Sequence, residues 1–220
     1  MLSTPATKSP TLHRKDFMKL YNSMGPNPKI VRMFAAERGV DLPLVEVDLM
    51  KAENRDAEHM ARNPLGQLPC LELDDGSHIS EITAICEYLD DKAGSSDLIG
   101  TTPEARAETR MWVRRIDLQI AEPLANGFRF SDGLPLFKDR IRTIPEAAEG
   151  LKILAQEWIT WLDGQVAGKQ FICGDRLTLA DILLFGVLEF GAQVGQPLNE
   201  DNKNVMAWFN RMKDRPSASI

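Results

Sequence analysis

The stretch Leu68-Pro69-Cys70-Leu71-Glu72-Leu73-Asp74-Asp75-Gly76-Ser77-His78-Ile79-Ser80 decides the architecture of the first half of the chain. Apolar character runs from Leu68 to Leu73 and resumes at Ile79, and Asp74-Asp75-Gly76 joins the two runs. Asp-Gly between apolar alternations is a strong hairpin signal. Forward of the hairpin, a helix is expected from Glu81 to about Lys92, with Ile82, Ile85, Cys86 and Leu89 on one side. Behind it, a short helical stretch ends at Asn63-Pro64, and Leu44, Val45 and Val47 read as a strand. Further back, a helix opens at Pro28, where a missing N–H costs nothing, shows Ile30, Val31, Phe34 and Ala35 on one face, and stops near Gly39. Met18 to Tyr21 reads as the first strand.

Strand, helix, strand, helix, hairpin, helix places a parallel pair and an antiparallel hairpin in one small sheet. This is the thioredoxin-like arrangement, assigned to residues 18–93. Residues 94–102, rich in Gly, Ser and Thr, read as a linker. Residues 103–220 carry helical signals throughout, so the fold class is α/β followed by an all-helical domain. Thr102-Pro103-Glu104 opens a helix with Trp112, Ile116 and Ile120, which is expected to break or bend at Pro123. Pro145-Glu146 opens another, with Leu151, Leu154, Trp158 and Trp161 as its apolar positions. Thr178-Leu179-Ala180-Asp181 has capping-box spacing ahead of an apolar helix, and a last helix with Val205, Trp208, Phe209 and Met212 stops before Pro216. Residues 1–17 belong to neither domain and read as a disordered tail or an extended start.

The chain has 220 residues, 43% of them apolar and 7% aromatic. Its longest apolar runs, such as Ile182 to Phe185, fall far short of the roughly 20 residues a membrane helix needs. Twenty-six basic against 32 acidic residues leave a net charge of -6, the wrong sign for neutralising phosphates, so no nucleic-acid partner is expected. Cys70, Cys86 and Cys173 are odd in number and set among apolar neighbours, which suits reduced thiols and a cytoplasmic location.

Several chemistries lack their residues. No Gly-x-Gly-x-x-Gly follows a strand, and Gly164 to Gly168-Lys169 has the wrong spacing for a P-loop. His13, His59 and His78 have no metal-ligand spacing to one another or to cysteines, so no metal site is expected and all three read as surface histidines. Asn22-Ser23-Met24-Gly25-Pro26-Asn27-Pro28 stands after the first strand where a redox fold would carry Cys-x-x-Cys.

Three strings, Lys19 to Arg32, Asn63-Pro64-Leu65-Gly66-Gln67-Leu68-Pro69, and Glu81-Ile82-Thr83-Ala84-Ile85-Cys86-Glu87-Tyr88-Leu89, closely resemble cytosolic glutathione transferases. Gly174-Asp175-Arg176-Leu177-Thr178-Leu179-Ala180-Asp181 is similar to that family's capping-box motif. The resemblance implies glutathione as co-substrate. Pro69 matches the family's cis proline, which turns the Leu68 backbone toward the cysteinyl part of the peptide. Glu81 resembles the acid that holds the γ-glutamyl ammonium, and the helix it opens offers N–H groups to the γ-glutamyl carboxylate. Gln67 and Lys51 match positions at the glycyl end. Ile82 stands where many members have Ser, so only its backbone donor remains.

The position at which well-studied classes carry Tyr, Ser or Cys falls near Pro26 or Asn27, neither of which supplies a hydroxyl. Candidates for thiolate stabilisation are the helix start with the Asn27 side chain, and the Ser23 hydroxyl; Tyr21 reads instead as a packed strand aromatic. The Gly-Pro-x-Pro loop resembles atypical yeast-type and bacterial members, in which helical-domain residues hold a water. That likeness points to Phe128-Arg129-Phe130-Ser131, with Arg129 orienting a carboxylate or thiolate and Ser131 a water. Met24, Phe128 and Arg129 border the expected electrophile site. The implied protein is a homodimeric, cytoplasmic glutathione transferase that joins glutathione to an apolar electrophile between its domains. Alternatives are a glutathione-dependent disulfide or peroxide reductase, and a non-catalytic binding or assembly module.

Overall fold

The computed structural model describes residues 18–220. The tail expected over residues 1–17, including His13, lies outside the described residues. The first half contains β1 (Lys19–Asn22), α1 (Pro26–Arg38), β2 (Leu44–Glu46), α2 (Ala57–Arg62), β3 (Cys70–Glu72), β4 (His78–Ser80) and α3 (Ile82–Lys92). The sheet order is β2-β1-β3-β4, with β1 parallel to β2 and antiparallel to β3. Leu71 sits opposite Ile79 across the β3–β4 hairpin, and Leu20 lies between Leu44 and Leu71. Strand alternation gives the sheet two apolar faces. Leu20 and Leu71 pack with α1 and α3, while Tyr21 and Cys70 form a smaller cluster with Val47 and Leu68.

Two boundaries differ from expectation. The strand expected from Leu68 begins at Cys70, because Pro69 has no N–H for a ladder. The first helix opens at Pro26 rather than Pro28. Gly25, at φ 117, turns the chain into it, and both prolines fall in the first turn, where helical N–H groups have no intrahelical partner anyway.

The second half is helical: α4 (Pro103–Ile116), a π turn (Asp117–Ala121), α5 (Glu122–Arg129), the short α6 (Leu134–Phe137), α7 (Ala148–Gln165), α8 (Leu179–Gln193) and α9 (Lys203–Lys213). Thr102 caps α4 by accepting the Ala105 N–H. The expected break at Pro123 is a π turn one step earlier, whose wider ring accommodates a proline that has no N–H for the Gln119 carbonyl. On α7 the buried stripe is Ala148, Ala155, Ile159 and Leu162; Leu154 and Trp161, expected in the core, are exposed.

The capping box of α8 is buried and extends beyond its helix. Asp181 accepts hydrogen bonds from the Thr178 N–H (2.9 Å) and hydroxyl (3.0 Å), the Ile172 N–H (2.9 Å) and Trp208 Nε1 (2.9 Å), joining α8 to the preceding loop and to α9. Burial pushes its pKa up, and these bonds oppose the shift. The halves meet where α1 crosses α8. A Cβ at Gly186 would lie 2.4 Å from Ile30 Cγ1, so only glycine permits this approach. Lys29 pairs with Glu189 at 2.6 Å, and Arg215 grips Glu37 through two bonds of 2.7 Å. Among the described residues no helix is long and apolar enough to cross a membrane.

Candidate functional site

The loop from Gly66 to Pro69 is held from behind by buried polar side chains. Asn54 Nδ2 donates to the Gly66 carbonyl (2.6 Å) and Asn63 Nδ2 to the Gln67 carbonyl (2.9 Å). His59 Nε2 lies 3.1 Å from the same Gln67 oxygen, which can only accept, so this nitrogen carries the hydrogen. His59 and Asn63 are each 2% exposed, which corrects the surface reading of His59. Gly66 has φ 61, and a Cβ there would meet Arg55 Nη1 and Met60 Sδ at 2.8 Å, so both conformation and space require glycine. The Leu68–Pro69 peptide is cis.

At the head of α3, Glu81 adopts φ 72, in the left-handed region, which costs a residue other than glycine about 1–3 kcal/mol. Its carbonyl accepts the Ile85 N–H at 3.0 Å. Among the described residues no side chain caps this end, which leaves the N–H groups of Ile82, Thr83 and Ala84 for an anion at the positive end of the helix dipole. The head of α1 is poorer in donors, since Pro26 and Pro28 supply none and Asn27 is its first N–H after Gly25.

These segments line one side of a cavity of about 210 Å³ between the two halves, through Pro26, Asn27, Asn63, Gln67, Leu68, Pro69, Glu81, Ile82 and Thr83. The opposite wall comes from the π turn, α5 and α8: Asp117, Ala121, Glu122, Leu124, Ala125, Arg129, Leu183, Val187 and Phe190. Its charged groups are the carboxylates of Glu81, Asp117 and Glu122 and one guanidinium, Arg129. Asn126 accepts a hydrogen bond from Arg129 Nη1 at 3.0 Å. Burial raises the Asp117 pKa, and the Glu122 charge raises it further, against the pull of Arg114.

Seven of the twelve residues expected at the site therefore share this cavity: Asn27, Gln67, Leu68, Pro69, Glu81, Ile82 and Arg129. The other five do not line it. Ser23 is buried and its hydroxyl donates to the Met24 carbonyl (3.1 Å), while Met24 itself is 70% exposed. Ser131 donates back to the Gly127 carbonyl (2.6 Å). Lys51 projects into solvent, paired with Asp48 at 3.2 Å. Phe128 stands one layer behind, edge-on to Phe190 with centroids 5.4 Å apart. The Tyr21 hydroxyl is committed to Glu72 at 2.7 Å, and its pKa is pushed up to about 12 by burial and by that bond.

Apart from Pro26, which stands where the family's hydroxyl would fall, the remaining lining residues carry no clear signal in the sequence. Asn63 lies inside one of the family-like strings, where nothing local marks it as a lining residue. Asp117 and Glu122 flank a π turn that no residue pattern announces, and Leu183, Val187 and Phe190 belong to a helix whose apolar composition reads as core. None of the three cysteines lines the cavity; Cys70 and Cys86 are buried, and burial pushes the Cys70 thiol up to about 11.

Comparison with known proteins agrees with this architecture. Residues 17–91 match the family model described as the glutathione S-transferase N-terminal domain, and residues 145–216 match the glutathione S-transferase C-terminal domain. The chain is 31% identical over 208 residues to glutathione S-transferase 2 of Saccharomyces cerevisiae, covering 92% of this chain and 88% of the yeast protein. It is 34% identical over 202 residues to glutathione S-transferase GstA of Escherichia coli O157:H7, covering 90% and 94%. The crystal structure of Gtt2 from Saccharomyces cerevisiae superposes with a TM-score of 0.85 at 30% identity, covering 91% of this chain and 98% of that one. With a four-stranded mixed sheet followed by helices, and both domain models matched in order, the chain belongs to the glutathione S-transferase family.

Proposed function

We propose that this protein binds glutathione along the Gln67–Pro69 loop and the head of α3, and transfers it to an apolar electrophile held against the helical wall. One observation carries the reading. The Leu68-Pro69 loop, the uncapped start of α3 with Glu81, and the guanidinium of Arg129 open onto a single cavity whose far side adds the apolar Leu124, Leu183, Val187 and Phe190 to Asp117 and Glu122. The Leu68 backbone would pair with the cysteinyl unit, Gln67 would serve the glycyl end, and Glu81 would hold the γ-glutamyl ammonium. The free N–H groups of α3 would take the γ-glutamyl carboxylate.

The thiol loses its proton to solvent, the thiolate forms a bond to the electrophilic carbon, and the leaving group departs with the bonding pair. A free thiol ionises near pH 8.5, and each unit by which the protein lowers that value requires about 1.4 kcal/mol of preference for the anion. Arg129 is the cation among the lining residues, and Asn27 adds an amide and a helix-start N–H. We assign these two the stabilising role, in place of Ser23 and Ser131. Conjugation is favoured over disulfide reduction through a protein thiol, because the three cysteines stand away from the cavity.

Steady-state turnover of glutathione with 1-chloro-2,4-dinitrobenzene tests the proposal. A rate well above the uncatalysed reaction is expected, with kcat/KM about tenfold lower in Arg129→Gln, as loss of about 1.4 kcal/mol of transition-state stabilisation predicts. No rate above the uncatalysed one would overturn it.

A further inference from the structure

Within the cavity, the wall that runs from the π turn to the end of α5 changes charge along its length. The Glu122 N–H bonds to the Asp117 carbonyl, the i to i+5 step that defines the π turn. In a regular α-helix, residues five apart point to widely separated directions; the π turn swings Asp117 and Glu122 into the same cavity. Arg129 lies seven residues beyond Glu122, about 10 Å farther along the axis at 1.5 Å per residue. The acids are only partly answered. Asp117 meets Arg114 at 3.3 Å, but Arg114 is largely exposed and does not line the cavity, and among the described residues Glu122 accepts only from the Asn126 amide at 3.2 Å. Beside them stand apolar groups, Leu124, Leu183 and Val187.

We infer that Asp117 and Glu122 make the second-substrate half of the cavity selective for acceptors with an apolar body and a cationic or hydrogen-bond-donating group, and that they reject anionic acceptors. The inference rests on the conjugation reading above, since it names the substrate class of that site. Two carboxylates in a partly dry cavity attract an ammonium and repel a carboxylate, and at effective dielectric constants near 20 such interactions reach the size of about a tenfold rate change or more. Glu81 is left for the ammonium of the peptide, on the opposite wall.

A 4-chloro-3-nitrophenyl series carrying an aminomethyl, hydroxymethyl or carboxylate group para to the chlorine tests this. In each reaction the thiolate forms a carbon–sulfur bond and chloride leaves. With kcat/KM divided by the uncatalysed rate constant of each compound, the aminomethyl acceptor should exceed the carboxylate by about tenfold or more, and Asp117→Asn with Glu122→Gln should bring that ratio close to one. A ratio near one in the unaltered protein, or a ratio the substitutions leave in place, overturns the inference. So does a rise in glutathione KM as the only effect of the substitutions, which would give the acids to the peptide. Calorimetric binding of the finished thioether conjugates gives a second reading without turnover: the aminomethyl conjugate should bind more tightly than the carboxylate conjugate. If 1-chloro-2,4-dinitrobenzene is not turned over either, the conjugation reading falls, and conjugate binding still decides the charge preference.

Discussion

The two walls of the cavity are built on different principles. The wall from the sheet half sets its side chains on a fixed backbone: the Gln67–Pro69 loop and the first N–H groups of α3, held by Asn54, His59, Asn63 and the turn at Glu81. The wall from the helical half presents side chains, and its shape depends on the π turn and on where α8 packs. A backbone surface of fixed form suits a constant peptide. A side-chain surface can change without disturbing the chain path, which suits a variable second substrate.

The largest effect is expected on the helical wall. Asp181→Ala would leave the Ile172 and Thr178 N–H groups and Trp208 Nε1 buried without an acceptor. At about 1–3 kcal/mol per unmade buried bond, a loss of about 3–5 kcal/mol in chemical denaturation is expected. A loss below about 1 kcal/mol would show that α8, which carries Leu183 and Val187, is held chiefly by packing.

His59→Phe probes the other wall. It keeps a ring but removes one of the two donors to the Gln67 carbonyl, so stability should fall by about 1–2 kcal/mol and glutathione KM should rise several-fold with kcat little changed. His59→Gln restores a donor and should recover much of the KM. If the acceptor KM moved instead, the division of labour between the walls would be wrong. Glu81→Gly separates fold from function at one residue: relief of positive φ should raise stability by about 1 kcal/mol, while loss of the carboxylate should weaken glutathione binding.

The smallest effect concerns the tie between the halves. Hydrogen bonds from Arg215, and then from Ser217, hold the Glu37 pKa below the ordinary carboxylate value of 4.5. A carboxyl whose folded pKa lies below its unfolded one contributes stability above the unfolded value and loses it as pH falls through the folded value. An acid titration followed by tryptophan fluorescence should therefore show a shallower decline below pH 4.5 for Glu37→Gln than for the unaltered chain.

The contrast between the walls also explains what could be read from the sequence. Strand order, the hairpin at Asp75-Gly76 and the Thr178–Asp181 capping box announce themselves in turn chemistry and periodicity, which are local. Gln67, Leu68, Pro69, Glu81 and Ile82 sit in strings of contiguous residues, so one wall was legible. The other combines Asp117, Glu122, Arg129 and Leu183 across three helical segments, brought together by packing that no string encodes. Arg129 was picked out, yet Ser131, two residues away, turns back to the Gly127 carbonyl because a serine just past a helix end readily bonds its own chain. His59 was misread because a polar neighbourhood in sequence, Glu58 and Arg62 on the same short helix, hid a buried face. On α7 two apolar stripes run side by side, and periodicity alone did not distinguish the one that faces inward.

We propose that Arg129 and Asn27 lower the pKa of a glutathione thiol bound in the cavity. Ultraviolet thiolate absorbance of glutathione bound to the intact protein, followed across pH, tests it most directly. Ionisation is expected at least about one unit below the free value near 8.5, with Arg129→Gln returning part of the shift. A bound thiol that titrates as it does in free solution would show that the cavity does not stabilise the thiolate.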